Sequence, residues 1–148
     1  MITFKRLTDA KRFFELLPLD WQDNILPQWP QIQERSTIYV LASEEDILAG
    51  GIVFSEIIPE MEAYKTEAQY WFSQHYAYIG YVWVPLEKRH NNYGTLWLKN
   101  LLALDTQQGY WLTTEEPQLQ YFYEKAGFQW VKTLRYDGVE ENLFVSRI

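Results

Sequence analysis

In this chain of 148 residues, groups able to do chemistry concentrate in two short stretches. The first, LEKRHNNYG over residues 86–94, follows an apolar strand pattern ending in Val84 and precedes a helix pattern beginning near Gly94. A helix N-terminus there leaves backbone N–H groups without intrahelical acceptors, and such a turn can cradle a phosphate. Gly94 lets the backbone approach an anion, Thr95 can cap or donate a hydroxyl, and Lys88, Arg89 and His90 add positive potential. Alone, these features also fit an ordinary strand-to-helix turn with a solvated basic cluster. The second stretch, YFYEKAGF over residues 121–128, reads as a helix closed by Gly127 that feeds a strand starting at Phe128. Phe122 and Ala126 are four apart and suited to pack on a sheet, whereas Tyr123 lies one position round, where its phenol could look into a cleft.

Composition removes other chemistries. Without a single cysteine, disulfide scaffolds, zinc fingers, thiol nucleophiles and iron–sulfur clusters are excluded together. His75 and His90 are the only imidazoles, so no metal site is expected. Thirteen basic against twenty acidic residues give a formal charge of −7, which argues against nucleic acid as a partner. The N-terminus has no signal-peptide pattern and no run of about 18 apolar residues occurs, so no membrane partner and a cytoplasmic location are expected. Seven Trp, eleven Tyr and eight Phe are more rings than a core of this size needs, and some should line a pocket or an interface. Residues 1–74 hold six Lys/Arg and twelve Asp/Glu, whereas residues 75–148 hold seven and eight, so an anionic ligand should prefer the second half.

The elements that must position these groups follow from hydrophobic period. A strand over 2–7 leads to a short helix with Phe13, Phe14, Leu16 and Leu17 on its buried stripe; a second helical or irregular segment over about 20–32 is interrupted by Pro27 and Pro30. Strands at 37–42 and 47–58 should pair as a hairpin, and 60–74 is helix-compatible. YAYIGYVWV at 76–84 is the strongest strand and reads as central, covered on both faces. A helix over 94–104, a strand at 110–113, a helix from Pro117 to 125 or 126, and strands at 128–136 and 143–148 complete the chain. This order predicts one domain over 1–148, a three-layer α/β/α sandwich on a mixed sheet of roughly seven strands.

Taken together, the two chemical stretches resemble the Gcn5-related N-acetyltransferase (GNAT) superfamily. Its acyl-CoA loop, R/Q-x-x-G-x-G/A after a strand and V-x-P, looks like Val82-Trp83-Val84-Pro85 followed by RHNNYG at 89–94, and its closing YEKLGF looks like YEKAGF at 123–128. Asn92 stands where the first motif glycine would be, the distance from Pro85 to Arg89 is one residue longer than usual, and Glu116 stands near a position that is often Asn. Placing Lys88 at the motif's first position restores the proline spacing but loses the glycine match.

The resemblance implies acetyl-CoA as cosubstrate, its pantetheine arm entering a splay between the strands at 78–84 and 110–113. Val82, Trp83 and Val84 would offer main-chain contacts, the amides of Arg89, His90, Asn91, Asn92, Tyr93, Gly94 and Thr95 would hold the pyrophosphate, and Tyr123 would protonate the leaving thiolate. The reaction implied is direct attack of a primary amine on the thioester, with Glu56 as the first choice of base and Glu87, His75 and His90 as others. An acidic first half bearing Trp21, Trp29, Tyr64, Trp71 and Phe72 favours a cationic acceptor with an apolar or aromatic body. A homodimer fits the same resemblance. The rival reading is a non-catalytic binding or interaction module on the same fold.

Overall fold

A computed structural model describes residues 1–146. Twelve strands and helices follow one another as β1 Ile2–Leu7, α1 Ala10–Phe14, α2 Leu19–Ile32, β2 Ser36–Ser43, β3 Asp46–Phe54, α3 Lys65–Ser73, β4 Tyr76–Trp83, α4 Tyr93–Leu104, β5 Gly109–Thr114, α5 Gln120–Lys125, β6 Phe128–Tyr136 and β7 Val139–Ser146. The strands form a seven-stranded sheet in the order β1-β2-β3-β4-β5-β7-β6, antiparallel except for the β4–β5 pair. The last two residues of the strand expected at 143–148 lie outside the described residues.

Helices cover both faces, giving the α/β/α sandwich. One core cluster joins Phe13, Phe14, Ile25, Ile32, Met61 and Ala68 to Ile38, Ile52, Phe54, Tyr78 and Trp111 of the sheet. The opposite cluster joins Trp97, Leu98 and Leu101 of α4 and Tyr123 of α5 to Leu41, Ala49, Ile79, Leu112 and Phe144. Alternation along each strand therefore assigns side chains to one of two sides, and each side carries a different part of the site.

Several elements differ from the sequence expectation: β3 stops at Phe54 instead of running to 58, β7 begins at Val139 instead of 143, and Pro117–Leu119 is a 3-10 turn before α5. Segment 20–32 is one uninterrupted α-helix despite Pro27 and Pro30. Ile25, Gln28 and Ile32 anchor its buried face, while both prolines lie exposed; the carbonyls of Asp23 and Leu26, which lose N–H partners, belong to exposed residues that water can satisfy. Segment 60–74 is not one helix: Pro59–Tyr64 forms 3-10 turns, and Tyr64 at φ −130° breaks the path before α3.

β4 carries the main irregularity. Gly50 of β3 faces Trp83 and Ile52 faces Gly80, so three steps along β4 answer two along β3, and Tyr81 takes a left-handed φ of 56° inside this bulge. Strict alternation from Tyr78 would send position 81 to the α4 side. The extra residue returns Tyr81 and Trp83 to the side of α2, and Val82 to the side of α4.

Candidate active site

β4 and β5 pair only through Tyr76–Gly109, Ala77–Tyr110 and Tyr78–Trp111. Beyond that rung both strands continue without pairing to each other, so main-chain groups of residues 79–83 and 112–114 border an open gap. A cleft of about 850 Å³ runs through it. Trp21, Tyr78, Tyr81, Trp83, Tyr93, Phe122 and Tyr123 all line this cleft, which accounts for part of the aromatic excess.

At one end the site is built from main chain. Asn92 precedes α4 as its N-cap at φ 62° and ψ 24°, with no side-chain capping bond, and His90 is also left-handed at φ 68°. Asn enters this region more readily than most residues, so the missing motif glycine leaves the turn intact. The first intrahelical bond runs from the Leu96 N–H to the Asn92 carbonyl at 3.0 Å, so the amides of Tyr93, Gly94 and Thr95 precede the helical ladder. All three residues line the cleft together with Arg89, His90 and Asn92. Asn91 does not: its side-chain amide donates to the carbonyls of Lys88 and Arg89 at 3.0 and 3.1 Å and so fixes the turn. Lys88 is held away by Asp46 at 3.5 Å. Arg89 lies over Trp83, 4.6 Å from the ring centroid, and donates from Nε to the Val84 carbonyl at 3.0 Å.

Gly51 fixes this end from below. A Cβ there would stand 2.6 Å from the Trp97 ring, whose indole N–H donates to the Tyr39 carbonyl at 2.9 Å. This close approach seats α4 on β2 and β3 and aims its N-terminus at the gap.

Tyr123 lies on the same face, 7% exposed, its ring among Phe122, Phe128 and Phe144. It lines the cleft, and its hydroxyl makes no hydrogen bond among the described residues. Burial, with the Glu116 carboxylate adding, pushes the phenol up to about 12, so it is protonated throughout the neutral range.

At the other end, on the α2 face, the site is built from side chains. Glu60 accepts from the Tyr81 hydroxyl at 2.8 Å and from the amides of Asn24 and Gln28, each at 3.1 Å; Asn24 also donates to the Tyr81 oxygen at 2.8 Å. Gln28, only 8% exposed, commits its NH2 to Glu60 and the Asn24 carbonyl and leaves its own Oε1 buried without a partner. That orphan acceptor costs stability, and the arrangement holds Glu60 in place. Glu60 keeps solvent access through the cleft, yet crowding by protein raises its carboxyl above the ordinary value; the three hydrogen bonds oppose this rise and Glu141 adds to it.

Glu141 of β7 accepts from Thr113 at 3.1 Å and from the Tyr136 hydroxyl, and Thr113 in turn meets the Tyr78 hydroxyl at 2.9 Å. Asp20, Glu115 and Glu116 complete the acidic lining, so its carboxylates come from both halves of the chain rather than from the first alone.

Not every predicted site residue reaches the cleft. Glu56 lies outside it, in the turn after β3, where it is exposed and paired with Arg35 at 3.3 Å; the 3-10 turns that follow bring Glu60 inward instead. Glu87 and His75 also lie outside the lining, and of the alternatives only His90 borders it. Among the five aromatics expected at an acceptor wall only Trp21 does so, with its ring 5.3 Å from Trp83 and 5.8 Å from Tyr81. Trp29 packs on Phe14, Phe72 and Tyr64 on Trp111, and Trp71 donates to Glu67. Glu60, Glu141 and Asn24 were not legible as site residues: no local motif surrounds them, and only the fold brings them together.

Among the described residues no three His, Asp or Glu side chains gather as metal ligands, and no helix is long and apolar enough to cross a membrane. A family model described as the Acetyltransferase (GNAT) family matches residues 5–128. No curated protein sequence matches significantly. Among solved structures, an IAA acetyltransferase from Bacillus cereus aligns over 100% of both chains with a TM-score of 0.67 and 12% identity. A GNAT family acetyltransferase from Elizabethkingia anophelis with acetyl-CoA bound aligns over 99% of this chain and 98% of its own, with a TM-score of 0.64 and 12% identity. A Bacillus subtilis acetyltransferase in complex with CoA aligns over 99% and 97%, also with a TM-score of 0.64 and 12% identity.

Proposed function

The chain belongs to the GNAT acetyltransferase family, and on that premise we propose that it transfers an acetyl group from acetyl-CoA to a primary amine. The observation behind this reading is a single cleft with a main-chain anion cradle at one end and a buried, unpartnered phenol beside it. The residues present fit acetyl-CoA. Unpaired strand backbone borders the gap where a pantetheine amide could pair, and the free amides of Tyr93 to Thr95, reinforced by Arg89 and His90, suit a pyrophosphate.

Bound acetyl-CoA would supply the thioester carbonyl as the electrophile. Tyr123, protonated at neutral pH, donates its proton to sulfur as the C–S bond breaks. A strand N–H near Val82 to Val84 polarises the carbonyl. Glu60, not Glu56, takes the proton that the amine must lose: it borders the cleft, which Glu56 does not, and three neutral donors hold it there. Tyr123 and Glu60 belong to opposite faces of the sheet, so the amine approaches from the α2 side while the thiol leaves on the α5 side.

Thermal melting with acetyl-CoA tests the cosubstrate. Stabilisation that grows with concentration is expected, and none at millimolar ligand rejects it. With a reactive amine, Tyr123→Phe should lower kcat about a hundredfold while leaving acetyl-CoA affinity intact. Unchanged turnover would remove Tyr123 from the acid role.

A further inference from the structure

Six residues other than glycine have a positive φ among the described residues, and five of them, Glu44, His75, His90, Asn92 and Asp137, stand in turns or bends. Tyr81 is the sixth. It takes φ 56° inside β4, where a bulky side chain is strained and a glycine would not be. The neighbouring Gly80 does not carry the left-handed conformation; its lack of a side chain serves the Tyr78 ring, from which a Cβ would stand 3.0 Å. The strain at Tyr81 must therefore be offset by what its own side chain touches.

Three hydrogen bonds close a triangle around its hydroxyl. Tyr81 donates to Oε1 of Glu60 at 2.8 Å, Asn24 donates to the Tyr81 oxygen at 2.8 Å, and Asn24 donates to Oε2 of Glu60 at 3.1 Å. The corners belong to α2, to the 3-10 turns after β3 and to β4. Gln28, on the buried face of α2, holds Oε1 of Glu60 as well, so the triangle is anchored in the core.

What the triangle holds is the bulge. Successive N–H groups of a strand point alternately to its two neighbours, so a bulge in β4 decides which of them face the gap beside β5. If Tyr81 returned to an extended φ and the extra residue were absorbed, Val82 and Trp83 would exchange faces, and their N–H groups would exchange directions. No rung with β5 opposes this, because that pairing ends at Tyr78–Trp111, and on the other edge the register with β3 resumes only at Gly50–Trp83.

We propose that Tyr81 is a positioning residue: its hydroxyl, latched to Glu60 and Asn24, keeps the bulge left-handed and so aims the main-chain N–H groups of Val82 and Trp83 at the thioester. The proposal rests on the acetyl-transfer reading for what those groups do, but not for what holds them. A latch on the acceptor side of the sheet thereby sets the geometry of the cosubstrate. Glu60→Gln keeps an oxygen for Tyr81, so removing the base and opening the latch are separable.

Two substitutions remove the same hydroxyl and differ in backbone freedom. Tyr81→Phe keeps the ring and the strain, whereas Tyr81→Gly removes both. Backbone carbon shifts of residues 80, 82 and 83, measured by NMR on the full chain without ligand, report the state of the bulge. They should move toward regular extended values in Tyr81→Phe and stay near wild type in Tyr81→Gly. In calorimetric titration Tyr81→Phe should bind acetyl-CoA about tenfold more weakly and Tyr81→Gly within about threefold of wild type. Asn24→Ala, which opens one side of the triangle, should weaken binding in the wild-type background and not in Tyr81→Gly.

Carbon shifts that stay at wild-type values in Tyr81→Phe overturn the proposal. So does a glycine variant that binds acetyl-CoA no better than the phenylalanine variant, since the ring or the hydroxyl's effect on Glu60 would then be what matters. Should Tyr81→Phe fail to fold, Asn24→Ala in the two backgrounds decides, and equal losses overturn the latch. Should the wild-type chain not bind acetyl-CoA, acetyl transfer is rejected and the carbon shifts decide the latch alone.

Discussion

The two ends of the cleft are made from different parts of the polypeptide. The end beside α4 offers main-chain N–H groups, supplied by a single turn whose residues are consecutive. The end beside α2 offers two carboxylates, held by side chains from α2, β4, β5 and β6. Backbone amides recognise an anion whatever the neighbouring side chains are, so the first end tolerates sequence change provided the turn keeps its shape. Carboxylates held by particular donors are specific, and the second end fails with any one of them. Cosubstrate binding should therefore depend on backbone conformation and acceptor chemistry on individual side chains.

Glu60 is where that contrast breaks most severely. Glu60→Gln keeps an oxygen for Tyr81 but cannot accept a proton, so kcat should fall between about a hundredfold and ten-thousandfold, with acetyl-CoA affinity unchanged. A general base must be ionised. Because the folded protein raises the Glu60 carboxyl, wild-type turnover should decline as pH falls through that raised value, and the variant should lack this acidic limb. A steady-state pH profile of both proteins checks the assignment; an acid limb that persists in Glu60→Gln would return the proton to solvent or to another group.

The same contrast explains what was legible. β4, the turn after it and the helix α5 could be read locally, because apolar runs, Pro85, Gly94 and Gly127 each have a physical meaning at their own position; Gly127 indeed takes φ 103° at the end of α5. The left-handed Asn92 was accessible to the same reasoning. Glu60 was not. Its importance comes from Gln28 and Asn24 thirty-two and thirty-six residues away and from a bulge that moves Tyr81 to its side of the sheet. Glu56 looked better placed because strand 47–58 was read as extending further, whereas β3 ends at Phe54 and the chain turns away. The helix over 20–32 was read as interrupted because proline was judged by propensity, and the buried stripe of Ile25, Gln28 and Ile32 outweighed it.

Packing beneath the first end gives an intermediate effect. Gly51→Ala drives a methyl into the fully buried Trp97 ring, and overpacking of this kind should cost about 1–3 kcal/mol, read as a lower denaturation midpoint. Trp97 lies on the helix whose N-terminus forms the anion cradle, so acetyl-CoA affinity should weaken with it. Loss of stability without loss of affinity would show that the turn holds its shape independently of α4.

The smallest effect belongs to Asn92, and it tests whether only backbone shape matters at this end. Its φ of 62° costs a side chain with a Cβ about 1–2 kcal/mol, less for Asn, and its side chain makes no capping bond. Asn92→Ala should therefore lose about 1 kcal/mol. Asn92→Gly removes that strain but adds freedom to the unfolded chain, worth roughly 0.4–1 kcal/mol in the opposite sense, so the net change should be within a few tenths. Acetyl-CoA affinity of the glycine variant should match the wild type within about threefold, since the amides keep their directions. A tenfold gain would mean that the Asn side chain obstructs the anion, and a tenfold loss that it contacts it; either would make this end a side-chain site like the other.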